Sequence, residues 1–255
     1  MKKGIIGIVG GMGPGAGIDL ARNIVEHTLA DRDQEHLPQV LFTLPEQIYD
    51  RTDYIVGKVK TNPGYRIAEV IRRMEMVGVT LAGMACNSAH APPIFDVVQS
   101  ELARYGSRVT LMHMIREVAA FLQAHHPTRK RIGILGTTGT YLTRQYDLLG
   151  DYGMEVICLP EKEQRKVHLA IYHPVYGVKS IPENTSPKAE RILTEASDVL
   201  IRLGAGAIVL GCTEFPLIYR LPCYKGLPMI NSSLTLARAL IRAHSPQKLR
   251  PIEAR

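Results

Sequence analysis

The segment Ile6-Gly7-Ile8-Val9-Gly10 returns 126 residues later as Ile132-Gly133-Ile134-Leu135-Gly136. A second pair, Leu81-Ala82-Gly83-Met84-Ala85-Cys86-Asn87 and Ala207-Ile208-Val209-Leu210-Gly211-Cys212-Thr213, sets Cys86 and Cys212 apart by the same 126 residues. Two unrelated pairs with one offset point to a chain made of two similar halves. Short β-branched runs alternate with amphipathic stretches, the pattern of βα units on a parallel sheet. Strands are predicted over 4–9, 40–44, 79–85, 109–112, 131–135, 155–159 and 207–210. Ile67, Val70, Ile71, Met74 and Val77 share one helical face, as do Leu193, Ala196, Val199, Leu200 and Leu203. A last helix is predicted over 233–243. The expected fold is therefore α/β: two pseudo-symmetric α/β/α lobes with parallel sheets and an active site in the cleft between them. Residues 1–115, joined by a returning segment 223–255, form the first lobe, and 116–222 form the second.

Composition narrows the function. A chain of 255 residues can bury a full core without disulfide or metal staples. No apolar run approaches the roughly 20 residues needed to span a bilayer. Aromatic content is only 6%, without Trp, which argues against stacking surfaces for bases or sugars. The net charge of +7 raises a nucleic-acid reading, but Lys and Arg are dispersed along the chain. Their one tight cluster, Arg129-Lys130-Arg131, precedes an apolar run as a solvated strand entry would, and no nucleic-acid-binding signature accompanies it. A small anionic substrate, with no nucleic-acid or membrane partner, suits the charge better. The four cysteines form no C-x-x-C pair and fit no zinc template, so no metal site is expected. Lys2-Lys3 precedes an apolar stretch too short, and too soon broken by Gly10-Gly11, for a signal peptide. The expectation is a cytoplasmic protein with reduced thiols.

Cys86 and Cys212 each close a predicted strand and precede polar residues able to cap a helix, Asn87-Ser88 and Thr213-Glu214. Ligands of open α/β sheets bind outside the carboxyl ends of the strands. A helix N-terminus there would favour thiolate. If the lobes face each other, the two thiols meet a shared cleft from opposite sides. Opposed groups of one chemical type suit inversion of a stereocentre, where one removes a proton and the other delivers one to the opposite face. An unperturbed thiol titrates near 8.5, close enough to neutrality to play either part. Cys158 and Cys223 lie outside the repeated motif and read as packing residues.

Around these thiols the chain resembles the aspartate/glutamate racemase family of cofactor-independent amino-acid racemases. The similar segments are Gly10-Gly11-Met12-Gly13-Pro14, Ile48-Tyr49-Asp50-Arg51-Thr52, Ala85-Cys86-Asn87-Ser88-Ala89-His90, Ala170-Ile171-Tyr172 through Gly177-Val178-Lys179, and Gly211-Cys212-Thr213-Glu214-Phe215-Pro216-Leu217. The resemblance implies racemisation of aspartate or glutamate by a thiol/thiolate pair, Cys86 and Cys212, without pyridoxal phosphate or another cofactor, in a homodimer. It implies that Arg51 binds the distal carboxylate of the substrate and that Lys179 approaches it in the closed cleft. Met12 and Gly13 match the glycine-rich loop lining the pocket. Asn87, Ser88, Thr137 and Thr213 stand where the α-carboxylate and amino group would be held. His90 and His113 are expected to be structural. Ser88 and Arg116 depart from commoner forms of the family, as does the stretch His173-Pro174-Val175-Tyr176.

Three competing readings remain open. Gly11, Gly13 and Ala16 fit a relaxed dinucleotide fingerprint, but no acidic residue closes a second strand about 20 residues on. Hydantoin racemases and maleate isomerases belong to the same superfamily and keep two cysteines, whereas arylmalonate decarboxylases need one. A cleft-closing binder of acidic amino acids would carry a similar pocket without chemistry.

Overall fold

In the computed structural model, residues 4–181 and 186–252 are described. The first half supplies a four-stranded parallel sheet from β1 (Ile5–Val9), β2 (Gln39–Phe42), β3 (Val79–Met84) and β4 (Thr110–Met112), ordered β2-β1-β3-β4. The second half repeats that order with β5 (Arg131–Gly136), β6 (Glu155–Ile157), β7 (Ala207–Gly211), β8 (Cys223–Tyr224) and β9 (Leu227–Asn231), as β6-β5-β7-β9-β8. Among the strands of the described residues, the β8–β9 pair alone is antiparallel.

The repeat extends to backbone register. In the first sheet Ile6, Gly7, Ile8 and Val9 face Leu81, Ala82, Gly83 and Met84. In the second, Ile132, Gly133, Ile134 and Leu135 face Ala207, Ile208, Val209 and Leu210. Every one of these pairs maps onto its counterpart by the same 126 residues. Since a one-residue slip would turn each strand's side chains to the wrong face, shared register puts Cys86 and Cys212 at equivalent strand ends.

Helices cover both sheets. In the first half they are α1 (Pro14–Glu26), α2 (Arg51–Ile55), α3 (Gly64–Glu75), α4 (Pro92–Arg104) and α5 (Met114–His125). In the second they are α6 (Thr138–Leu142), α7 (Glu161–Tyr172), α8 (Pro187–Arg202), α9 (Phe215–Ile218) and α10 (Ser232–His244). The apolar face expected at Ile67, Val70, Ile71 and Met74 is buried on α3, while Val77 falls beyond its end and is exposed. The lobes exchange one helix each. Ile115, Val118, Ala119 and Leu122 of α5 pack with Ile132, Ile134 and Val209 of the second sheet. Leu236, Ala237, Leu240 and Ile241 of α10 pack with Ile6, Ile8 and Leu20 of the first lobe.

The returning segment starts later than expected. The sequence places residues 223–231 with the first lobe, but Met229 and Ile230 pair with Ile208 and Val209 and extend the second sheet. Both side chains are buried in that sheet, so the return to the first lobe begins with α10 and continues in the segment after it, where Leu249 pairs with Thr28. Among the described residues, no helix is long and apolar enough to cross a membrane.

Candidate active site

β1 ends in a turn that only glycine fits. Gly11 has φ +82°, and a Cβ there would lie 2.8 Å from the Leu44 backbone nitrogen. The turn carries Met12 and Gly13 over the ends of the strands. There, a small chamber between the lobes is lined by Met12, Arg51, Cys86, Asn87, Ser88, Tyr172 and Lys179, together with Thr137, Gly211, Cys212, Thr213 and Glu214. Its volume is about 10 Å³, room for roughly one water. An outer cavity of about 610 Å³ shares Met12, Arg51, Lys179 and Glu214 with it and opens past Gly13, Asp50 and an apolar rim that includes Ile18, Ile181 and Leu217. Nine of the ten residues singled out from the sequence line the chamber, and Gly13 stands at its mouth.

Both thiols are free and buried, 6% and 7% exposed for Cys86 and Cys212. Their neighbours differ. Cys86 lies against the Arg51 guanidinium. Arg51, only 4% exposed, donates from Nη1 to the Tyr49 carbonyl at 3.0 Å and from Nη2 to the Met12 carbonyl, while its buried Nε has no partner. Burial opposes the guanidinium charge, but Cys86 and Asp50 outweigh it and hold Arg51 protonated. Asp50 caps α2 by accepting from the Thr52 and Asp53 amides at 2.8 and 3.0 Å. Burial pushes its carboxyl up, yet Arg51, Lys179 and those amides bring it below the usual carboxylate range.

Cys212 instead donates to Glu214 Oε2 at 3.0 Å. Burial pushes its thiol well above the ordinary value, and the Glu214 charge adds to that rise. The expectation that a helix N-terminus would favour thiolate at both sites therefore does not hold at Cys212. Local structure gives one reason: Cys86 leads into a single 3₁₀ turn, Asn87–His90, and Cys212 into the four-residue α9, neither long enough for a strong dipole. Lys179 Nζ lies 3.8 Å from Glu214 Oε1 and 3.9 Å from Asp50 Oδ2, with its side chain 23% exposed. Burial works against its charge, but Glu214 and Tyr172 keep it protonated.

Several residues close the chamber by reaching across lobes. Asn87 donates to Ser232 Oγ at 3.0 Å and accepts from Tyr146 at 2.5 Å, so both ends of its amide are engaged by protein. Thr213 donates to the Ala85 carbonyl at 3.2 Å. Tyr172 donates to Asp50 Oδ2 at 3.2 Å, and burial raises its phenol to about 12. His90, expected to be structural, bonds from Nδ1 to the Cys86 carbonyl at 2.9 Å and packs on Phe95 and His113. Arg116 is exposed on α5. Glu214, Tyr172 and Asp50 are the site residues that the sequence alone did not single out. Their signal was adjacency to recognised motifs, which does not say where a side chain points.

The sequence model of the Asp/Glu/Hydantoin racemase family matches residues 9–240. The chain belongs to this family. Among solved structures similar to this racemase-family enzyme is Picrophilus torridus aspartate racemase, 29% identical, covering 94% of each chain at a TM-score of 0.78. Glutamate racemase from Francisella tularensis in complex with D-glutamate shares the fold at 17% identity, covering 100% of this chain and 86% of the other, with a TM-score of 0.67. Allantoin racemase from Klebsiella pneumoniae shares it at 15% identity, over 97% and 90% of the two chains, with a TM-score of 0.53.

Proposed function

We propose that this chain racemises an acidic amino acid, without pyridoxal phosphate, by exchanging a proton between Cys86 and Cys212. The observation that carries this reading is the pair of buried free thiols, at register-equivalent strand ends, lining one chamber with two cations, Arg51 and Lys179. The Picrophilus torridus protein is an aspartate racemase, which makes aspartate the first substrate to test and glutamate the second.

In one direction the thiolate of one cysteine takes the Cα proton, and the electron pair of that bond delocalises into the α-carboxylate. The thiol of the other cysteine then delivers its proton to the opposite face and is left as thiolate. The enzyme ends with its two protonation states exchanged, ready for the reverse reaction. A Cα proton is far less acidic than a thiol, so fixed charge at the carboxylates must stabilise the carbanion. Arg51, clamped by two backbone carbonyls, supplies such a charge with little reorganisation, and Lys179 supplies a more mobile one. An amino acid is much larger than the space in the chamber, so the lobes must part to admit it and close again to exclude water.

The test is incubation in deuterium oxide with L- and D-aspartate and L- and D-glutamate, with no cofactor added. Racemisation with deuterium appearing at Cα is the expected result. Binding without deuterium incorporation would make the protein an acidic amino-acid binder and overturn the proposal.

A further inference from the structure

The Glu214 carboxylate has hydrogen-bond donors on one oxygen and none on the other, which only the charge of Lys179 faces. Oε2 accepts from Cys212 Sγ at 3.0 Å, and Thr213 Oγ1, whose one proton is shared with the Ala85 carbonyl, lies 3.3 Å from it. Oε1 is buried and has no hydrogen-bond partner, with Lys179 Nζ beyond bonding reach at 3.8 Å. It lies over Gly13, where an added Cβ would come within 2.3 Å of it, and Glu214 borders both the chamber and the outer cavity. A buried acceptor oxygen without a donor costs free energy that a bound donor would relieve. Arg51, which lines the same chamber, has a buried Nε that likewise lacks a hydrogen-bond partner.

We infer that Glu214 Oε1 receives the α-ammonium group of the substrate and thereby selects free amino acids. The assignment rests on the racemase reading above. Charge supports it. Apart from the thiolate that takes the Cα proton, Arg51, Lys179 and Glu214 give the chamber two positive groups and one negative. A free acidic amino acid presents the complement, two carboxylates and one ammonium. Asp50 is outside this count because it borders only the outer cavity and is held by the Thr52 and Asp53 amides and by Tyr172. The repeat supports it too: the position equivalent to Glu214 in the first lobe is Ser88, so the pair of motifs places one carboxylate in the chamber for one ammonium. Hydantoins and N-acylated amino acids carry no such cation and would leave Glu214 Oε1 buried without a hydrogen-bond donor, a mismatch that sites built for hydrogen bonding reject strongly.

Calorimetry with matched ligand pairs tests the assignment. Racemic aspartate is compared with succinate, and racemic glutamate with glutarate, using whichever pair the wild-type protein turns over. The two members of a pair differ only in the ammonium group. In Glu214→Gln, affinity for the amino acid should fall tenfold or more, while affinity for the matched dicarboxylate stays within threefold or rises. Gly13→Ala should act in the same direction, because φ of −121° accommodates alanine and the added methyl collides with Oε1 alone. Equal weakening of both ligands, or an unchanged affinity for the amino acid in folded variants, would overturn the assignment while leaving the racemase reading intact. A wild-type protein that neither binds the amino acids nor labels them at Cα would remove the racemase reading and this one with it.

Discussion

The two thiol sites share a backbone and differ in everything that sets charge. Cys86 and Cys212 end strands whose neighbours match pair for pair, yet the residues that follow diverge: Asn87 against Thr213, Ser88 against Glu214, His90 against Pro216. The first thiol has a clamped guanidinium beside it and a histidine under its carbonyl. The second is hydrogen-bonded to a carboxylate. The scaffold thus brings both thiols to equivalent strand ends, the placement that the proposed two-thiol mechanism requires. The charges around the two thiols are not symmetric: the Glu214 carboxylate opposes ionisation of Cys212 and has no counterpart at Ser88.

The largest break in the comparison should come from the thiols themselves. Cys86→Ser or Cys212→Ser should lower racemisation in both directions by about 10²–10⁴, since each direction needs one acid and one base. Each variant should still exchange the Cα proton of one enantiomer, a different one for each. Deuterium exchange measured separately on L- and D-substrate reads this out. If either folded variant racemises at the parental rate, the sites are not partners.

Arg51→Lys tests the first site next. Lysine cannot serve the Tyr49 and Met12 carbonyls together while also lying beside Cys86, so kcat/KM should drop by about 10² and one buried carbonyl should lose its donor. The second effect should cost on the order of 1–3 kcal/mol in chemical denaturation. Full retention of both activity and stability would mean that the clamp does not matter.

Glu214→Gln addresses the second site by titration. The carboxylate opposes ionisation of the thiol it touches, so its neutralisation should move Cys212 thiolate formation to lower pH. Thiolate ultraviolet absorbance in a Cys86→Ser background, compared with and without the second substitution, shows the direction. An unmoved titration would assign the rise at Cys212 to burial alone.

How far the sequence carried this description depends on what each residue needs in order to be located. The repeat, the core strands and both thiols were legible because sheet register and burial are written into short local segments. β9 was missed because Pro228 interrupts its apolar run, although Pro is tolerated where that strand pairs with Cys223 at the sheet edge. Tyr172 and Asp50 meet across 122 residues, and no local pattern predicts such a contact. Asn87 was expected to face substrate, and the residues that occupy its amide, Tyr146 and Ser232, come from distant parts of the chain. Glu214 stood inside a recognised motif, but its meaning lies in the direction of two oxygens.

The smallest expected effect separates the sites by acid. His90 is 1% exposed, and burial first, then His113, lowers it to about 3 from an ordinary 6.5. His113 is lowered to about 4, by burial and then Arg116. An unfolded chain would protonate both near 6.5, while the folded protein keeps both neutral until well below that. Their contribution to stability is therefore complete above pH 6.5 and is lost as pH falls toward 4 and then 3. For His90 the slope is at most about 1.4 kcal/mol per pH unit. The second lobe has Pro216 at the matching position and no equivalent liability. Hydrogen exchange at pH 7 and pH 5, corrected for intrinsic rates, should show the loop from Cys86 to His90 loosening in acid while the loop after Cys212 does not. In His90→Gln, a donor can still reach the Cys86 carbonyl but cannot titrate, so the acid sensitivity of that loop should shrink. Equal loosening of both loops, or no change in the variant, would show that acid acts through carboxylates common to the whole protein, and the histidine would drop out of the comparison.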